Sequence, residues 1–263
     1  MIRKSRFVCG TGVALVLGLV LLPAVLFQQE LSVSTIGLTP PGSDHLLGTD
    51  RLGRDVGIRT LQACVYTVGR ALLSLMFAVL IGLGLATVST VSFERLIDRA
   101  VAVLADTVRS FPALVLALLF VSTGVSASWI LPLIFWIPIW RVTRSLLAQE
   151  RARPYVLVAR LFGFSRTKVV LREVLPNVLP DLFPYCVLIF SEIVAVQSSL
   201  EFLGFGPPFE QASLGMLLSE ALRLGTNGYW VWLPSLIVVV GMVVSSAVFA
   251  ERIAPAQKSL ALE

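Results

Sequence analysis

Long runs of uncharged, apolar residues alternate with short polar segments along this chain. The first run, Phe7 to Phe27, contains no charged residue and follows a basic tip that carries Arg3, Lys4 and Arg6. At the rise of an α-helix it spans roughly 30 Å, the thickness of the hydrocarbon core of a bilayer. A retained membrane helix is favoured over a cleaved signal peptide, because the run is long for a signal and no A-x-A-like site follows it.

Five more apolar runs predict five further membrane-spanning helices. They cover approximately residues 67–89, 100–123, 128–147, 181–200 and 229–249. A short amphipathic helix is expected near Val56 to Val65, before the second span. The pattern therefore predicts an all-α fold, a polytopic membrane helical bundle with six transmembrane helices.

Small residues and a proline mark places where these helices should pack closely or bend. Gly82, Gly84 and Ala86 lie at spacings that let a neighbouring helix approach the second span. Pro112 follows Phe111 inside the third span. Because proline lacks an amide hydrogen, a kink is expected there.

Composition and charge agree with a membrane protein and give its orientation. Of the 263 residues, 56% are hydrophobic and 14% charged, whereas soluble domains have about a quarter of charged residues. The net charge is +5, and the basic residues lie beside apolar runs. They are therefore expected to contact membrane lipid, and no contact with nucleic acid is expected. The densest basic segment, opposed only by Glu150, contains Arg141, Arg144, Arg151, Arg153, Arg160, Arg166, Lys168 and Arg172. By the positive-inside rule, this segment and both termini lie in the cytoplasm.

The chain carries no recognisable motif for a cofactor or for catalysis. It has no GxxxxGK[ST] segment, so no phosphate-binding loop of its own is expected. Cys9, Cys64 and Cys186 lack CxxC spacing and are expected to be packing residues. The single histidine, His45, is expected to be a solvated side chain and not a metal ligand.

An acidic residue lies in the middle of the fifth apolar run. This residue, Glu192, is followed along the same run by Gln197 and Ser199. Ionisable residues inside a membrane tend to face the bundle interior or a water-filled cavity, so these three are candidates for a translocation path. A structural hydrogen bond, either between subunits or within the helix, explains Glu192 equally well.

Several short motifs resemble a known family when they are taken together. They are HLLGTDRLGRDV at 45–56, SFP at 110–112 after Asp106, LPNVLP at 175–180, SLEFLGFG at 199–206 and SLGMLLSE at 213–220. From about residue 43 to residue 250, the chain resembles the second-type permease subunits of ABC importers for dipeptides, oligopeptides and nickel. Leu214 stands where those permeases usually have tryptophan.

The resemblance implies a division of the chain. Residues 1–27 would form the N-terminal cytoplasmic tip and the first transmembrane helix, 28–66 an external segment, 67–252 a type I transmembrane permease domain, and 253–263 a cytoplasmic tail. Within the permease domain, a cytoplasmic coupling loop would cover 148–180 and an external loop 201–228. The residues expected on the external side, facing a solute-binding protein, are Asp50, Gly53, Arg54, Asp55, Gly204, Gly206 and Glu220.

The basic segment contains the counterpart of the EAA loop, whose short helix sits in a groove on an ATPase subunit in such importers. Gly163 occupies the glycine of that motif, whereas Leu157-Val158-Ala159 stands in place of the usual Glu-Ala-Ala. The residues expected to couple to the ATPase are Tyr155, Ala159, Arg160, Phe162, Gly163, Phe164, Arg166 and Pro176. An interfacial helix lying on lipid is the alternative interpretation of this segment.

The resemblance also implies a function and a set of partners. The chain would be a non-catalytic, multi-pass permease of the bacterial inner membrane that binds no cofactor or metal itself. Its expected partners are a homologous permease, two cytoplasmic ATPases that carry ATP and magnesium, and an extracytoplasmic solute-binding protein. An ATPase-independent channel or secondary transporter is the alternative, although such a protein should show several intramembrane charges or an inverted repeat. Peptides, nickel and metal-chelator complexes all stay open as substrates, with a slight preference for metal or metallophore uptake from the altered EAA positions.

Overall fold

The computed structural model describes residues 37–92, 95–207 and 211–260, and within these residues nearly all regular structure is helical. The predicted first span, Phe7 to Phe27, lies outside the described residues. The helices are α1 (Val56–Ser92), α2 (Arg95–Arg109), α3 (Ala113–Val121), α4 (Ala127–Arg151), α5 (Pro154–Leu161), α6 (Arg166–Val169), α7 (Leu175–Phe202), α8 (Leu214–Ser219), α9 (Ala221–Leu224) and α10 (Tyr229–Leu260). A π-helical turn, Val170–Val174, precedes α7, and a 3₁₀ turn, Gly225–Gly228, precedes α10.

Four helical segments are long and apolar enough to cross a membrane. They are Val56–Val91, Ala127–Arg151, Arg166–Phe202 and Leu214–Ile253. The bent pair Leu96–Arg109 and Ala113–Val121 makes a fifth if it counts as one span. The predicted second to sixth spans therefore each fall on apolar helical segments among the described residues, and the all-α prediction is confirmed there.

Helix α1 begins eleven residues before the predicted start of the second span, and joins it to the expected amphipathic helix. Asp55 caps its first turn, because the Ile58 amide donates to Asp55 Oδ1 at 3.0 Å. Arg59 lies near the start of the helix and is buried. Its charge does not end the helix, because two carboxylates accept from its guanidinium.

The third predicted span is broken rather than gently kinked. Helices α2 and α3 meet at an angle of 85° across residues 110–112. Pro112 cannot donate an amide hydrogen, and the Ser110 hydroxyl donates to the Asp106 carbonyl at 2.9 Å, which satisfies one carbonyl at the end of α2. The predicted bend is therefore confirmed, and it is sharper than a single proline kink.

The chain divides into two compact units, each with its own packed core. The first unit takes its described residues from Met1–Leu72 and Val194–Val244, and the second from Leu73–Ile193 and Ser245–Glu263. In the first, Ala63, Leu214 and Leu217 form a buried apolar cluster. In the second, the core packs α1, α2, α4, α5 and the start of α7 together and contains Trp136, Trp140, Leu147, Val156 and Val174.

Candidate functional site

Helix α5 is a short helix with a precisely defined end. Pro154 occupies its first turn, where its missing amide hydrogen costs nothing, and Gly163 follows its end with φ of 81°. The Gly163 amide donates to the Arg160 carbonyl at 3.0 Å, and the Phe164 amide donates to the Ala159 carbonyl at 3.3 Å. These two bonds form a Schellman motif, so the expected role of Gly163 in ending the helix has a structural basis.

The surface of α5 and the following turn is apolar and exposed. Val156 is buried in the core of the second unit, and Ala159 is half-buried against it. The large side chains that point away from the core are Leu157, Leu161, Phe162 and Phe164, with Leu161 and Phe162 nearly four-fifths exposed at 79% and 78%. Arg160 and Arg166 are exposed beside this surface.

Tyr155 fixes α5 to the helices on either side. Its hydroxyl donates to Glu150 Oε1 at 2.8 Å and accepts from the Asn177 side-chain amide at 3.1 Å. Burial raises the pKa of Tyr155 to about 12, and the neighbouring Glu150 carboxylate acts in the same direction, so the phenol is neutral and can donate at physiological pH.

Pro176, another of the predicted coupling residues, lies at the start of α7, directly after the π-helical turn. Because Pro176 has no amide hydrogen to donate to the preceding turn, regular α-helical bonding is interrupted there. The predicted coupling residues of 148–180 thus all belong to one connected segment of the second unit.

The three candidates for a translocation path have different surroundings. Glu192 is exposed on α7. Gln197 is buried and its side-chain amide donates to Glu201 Oε1 at 2.9 Å, while the Ser199 hydroxyl donates to the Ala195 carbonyl at 2.8 Å. Gln197 and Ser199 are therefore engaged in hydrogen bonds within α7, whereas Glu192 is exposed.

Asp50 is the centre of a network in the segment before α1. Its carboxylate accepts from the backbone amides of Leu52 and Arg54 at 2.8 and 2.9 Å. It also accepts from Arg54 Nε at 2.7 Å and from Arg59 Nη1 at 2.5 Å. Arg59 Nη1 reaches on to Glu220 Oε1 at 3.1 Å, which ties this segment to the turn between α8 and α9.

A cavity of about 400 Å³ opens beside this network, wholly within the first unit. It brings together five of the seven residues predicted on the external side, namely Asp50, Arg54, Gly204, Gly206 and Glu220. Gly53, with φ of 71°, lies in the turn that Asp50 holds, where its amide donates to the Asp50 carbonyl at 3.0 Å. Arg59 was not among the predicted residues, and a cation near the start of a largely apolar helix is the signal that indicates it.

Asp55, the last of the predicted external residues, caps α1 and pairs with His45. His45 Nδ1 lies 2.9 Å from Asp55 Oδ2, so the expectation that His45 is simply solvated needs correction: it is half-buried and has a carboxylate partner. Burial acts to raise the pKa of Asp55, but the hydrogen bonds from His45 and from the amides of Ile58 and Gly57 outweigh it and lower that pKa overall.

Glu201 positions the short helix α8. The Gly215 amide donates to Glu201 Oε2 at 3.3 Å, and the Ser213 hydroxyl accepts from the Met216 amide at 3.3 Å as the N-cap. A Cβ atom on Gly215 would lie 2.2 Å from the Ser198 carbonyl oxygen, so only glycine permits this close packing of α8 on α7. The two motifs, SLEFLGFG and SLGMLLSE, therefore pack against each other within the first unit.

With the geometry described, comparison with known proteins gives the family. Residues 78–258 match the family described as binding-protein-dependent transport system inner membrane component. The chain belongs to this family. The family is described as an inner membrane component of a transport system, so the chain is a membrane component of such a system. This agrees with its apolar helices and with the resemblance found in the sequence.

Individual relatives with curated names support the same family. A peptide transport system permease protein of Brucella suis is 29% identical over 89% of this chain and 80% of its own length. The oligopeptide transport system permease protein OppC of Lactococcus lactis is 28% identical over 79% of this chain and 73% of its own length. The dipeptide transport system permease protein DppC of Bacillus subtilis is 28% identical over 82% of this chain and 67% of its own length.

Proposed function

We propose that this chain is the permease subunit of an ATP-driven ABC importer that moves peptides across the bacterial inner membrane. It crosses the membrane six times, with both termini in the cytoplasm, and forms half of the translocation pathway with a homologous permease. Two cytoplasmic ATPases bind ATP and magnesium, and an extracytoplasmic solute-binding protein delivers the substrate. Family membership supports this proposal, together with relatives that are named as peptide, oligopeptide and dipeptide permeases.

The observation that carries the coupling role is the exposed apolar end of α5. Leu161 and Phe162 stand out from a helix whose other side is anchored by Val156 and Tyr155, and a Schellman turn holds them in place. A rigid, apolar tip rimmed by arginines has the composition of a protein interface. In the proposed complex this tip fits the groove of an ATPase and passes its closure on to α4 and α7.

Peptides are the preferred substrates among those that the motifs leave open. The named relatives are peptide permeases, and this finding outweighs the slight sequence-based preference for metal or metallophore uptake. The chain itself is proposed to carry out no covalent chemistry and to hold no cofactor or metal. The ATPase-independent channel is disfavoured, because the family is described as binding-protein-dependent.

The test compares two exposed leucines in the reconstituted importer. Leu161→Ser should weaken ATPase retention by about ten- to hundredfold, since burying a leucine side chain contributes roughly 1.5–3 kcal/mol. Leu46→Ser is the matched control, because Leu46 is 84% exposed in the first unit and lies outside the coupling segment. The measurements are co-purification of the ATPases with the permease pair and peptide-stimulated ATP hydrolysis. Wild-type retention and stimulation in Leu161→Ser would show that α5 is not the coupling element.

A further inference from the structure

The cavity of the first unit is lined by charged residues from two segments that are distant in the sequence. These residues are Asp50, Arg51, Arg54, Arg59, Glu201, Glu220 and Arg223. Four arginines and three acidic residues therefore line one cavity, which leaves an excess of positive charge. Its volume of about 400 Å³ lies in the range of small-molecule sites, roughly 300–1,000 Å³. Size and charge together make this cavity a candidate site for a small charged ligand.

Two of the arginines and two of the carboxylates neutralise one another. Arg54 Nε and Arg59 Nη1 both donate to Asp50, and Arg59 Nη1 also donates to Glu220. The side chains of Asp50 and Arg59 are buried. Because the charges of this network are balanced within the protein, it attracts a ligand of either sign only weakly.

Arg51 and Arg223 are the arginines that remain. Arg51 Nη2 donates to the Arg223 carbonyl oxygen at 3.1 Å, so the Arg51 guanidinium lies beside α9, although the two residues are 172 positions apart. Both residues are exposed and line the cavity, and neither forms an ion pair with a carboxylate among the residues that the structure describes. A guanidinium has several N–H donors, so one bond to a carbonyl leaves Arg51 with donors for an anion.

Glu201 places an acidic residue in the same cavity. It is buried, and its carboxylate accepts from the Gln197 side-chain amide at 2.9 Å and from the Gly215 amide at 3.3 Å. No cation pairs with Glu201 within the described parts of the chain. A buried carboxylate repels a simple anion and attracts a cation. A ligand that carries an ammonium group as well as a carboxylate therefore matches the cavity better than phosphate does.

We propose that Arg51 and Arg223 bind the carboxylate end of a short peptide in this cavity, at the outer mouth of the importer. A carboxylate accepts two parallel hydrogen bonds from a guanidinium, which fixes its orientation. Glu201 favours peptides with a free amino group over simple anions. A free peptide also fits the volume better than one acidic side chain of the solute-binding protein, which would leave most of the cavity empty. The inference rests on the proposed function, and adds a peptide site on the permease itself.

The first test measures peptide binding to the importer complex of permeases and ATPases by isothermal titration calorimetry. The solute-binding protein is left out, because it would bind the peptide itself. Trialanine should bind about tenfold more tightly than trialanine amide, which lacks the terminal carboxylate and its charge-assisted hydrogen bonds. Phosphate should not compete with trialanine. Equal affinities for trialanine and its amide, no binding of either, or competition by phosphate would overturn the proposal.

Single substitutions assign this binding to the cavity. Arg51→Gln and Arg223→Gln should each lower the affinity for trialanine about tenfold. The affinity for the amide should not change, which also shows that the variants are folded. Arg99→Gln is the matched control and should change neither affinity, because Arg99 is an exposed arginine of α2 outside the cavity. Wild-type affinity for trialanine in both cavity variants would show that the peptide binds elsewhere and would overturn the site.

The second test separates this site from a docking surface for the solute-binding protein. Peptide-loaded binding protein is titrated onto the same complexes, and its affinity should be equal for the wild type and both cavity variants. Loss of its binding in Arg51→Gln and Arg223→Gln, with unchanged trialanine affinity, would make the cavity a docking surface instead. Peptide-stimulated ATP hydrolysis by the complete wild-type importer, measured alongside, tests the proposed function separately. Normal stimulation without any effect of the cavity substitutions would keep the proposed function and remove only this site.

Discussion

Arg59 shows how one residue can stabilise a charged network at the start of an apolar helix. Its side chain is only 3% exposed, and its Nη1 atom donates to both Asp50 and Glu220. Taking a guanidinium out of water is unfavourable unless its donors are used, and here two carboxylates provide the compensation. The same contact joins segments of the chain that are 161 residues apart.

Replacing Arg59 should therefore destabilise the first unit. Arg59→Met leaves Asp50 and Glu220 without this partner, and breaking a buried pair costs about 3–5 kcal/mol. The lower end is expected, because Asp50 keeps Arg54 and two backbone amides. The unfolding temperature of the detergent-solubilised protein, followed by tryptophan fluorescence, measures the effect.

Arg51→Met provides the control for this prediction. Arg51 is exposed and donates to the Arg223 carbonyl, so its loss should change stability by no more than about 0.5 kcal/mol. Equal unfolding temperatures for the Arg59 and Arg51 variants would mean that the network around Asp50 does not stabilise the first unit.

At the scale of the elements, the packing of α1 on α4 depends on one glycine. A Cβ atom on Gly82 would lie 2.8 Å from both Ile139 Cγ2 and the Trp136 carbonyl oxygen. The carbonyl belongs to the backbone of α4 and cannot rotate away. Two residues further along α1, a Cβ atom on Gly84 would meet nothing within 4 Å.

The two glycines therefore predict opposite effects of the same substitution. Gly82→Ala should destabilise the protein by about 1–3 kcal/mol through overpacking. Gly84→Ala should be neutral or stabilising by up to about 1 kcal/mol, since alanine favours the helix. Thermal unfolding in detergent, with both variants prepared in parallel, measures the difference. A destabilisation of the same size at both positions would show that the small-residue spacing, and not close contact with α4, determines the effect.

At the scale of the whole molecule, the apolar pattern predicted where helices lie better than where they begin and bend. The fourth span was expected at about 128–147 and is α4, from Ala127 to Arg151. A long apolar run in a membrane must satisfy its backbone hydrogen bonds internally, so a helix is the structure expected for it. The continuity of α1 was missed, because the helix expected near Val56 to Val65 and the second span form a single helix, Val56–Ser92. Pro112 predicted a bend, but the angle of 85° depends on how α2 and α3 pack against α4.

The candidate sites were predictable to the extent that motifs mark them. Gly163 and the segment around Asp50 were identified from short motifs. The structure explains both locally, because Gly163 completes a Schellman motif and the Asp50 carboxylate accepts several hydrogen bonds from its own segment. Arg59 was missed, because its significance comes from Asp50 and Glu220, which lie in other segments of the chain. A pattern read along the chain does not contain that juxtaposition.

The orientation of the chain in the membrane is the prediction on which every proposed partner depends. Basic residues concentrate in the coupling segment, so cysteines at Ser43 and Asn227 should react with a membrane-impermeant maleimide in intact cells. A cysteine at Ser165 should be protected until the inner face is opened. All three positions are exposed in the structure, so protection reports the side of the membrane and not burial within the protein. The chain with its three native cysteines replaced by serine provides the background, and Ser165→Cys in opened vesicles provides the positive control. Labelling of Ser165→Cys in intact cells would place α5 outside, where no ATPase could reach it, and would remove the basis of the coupling role.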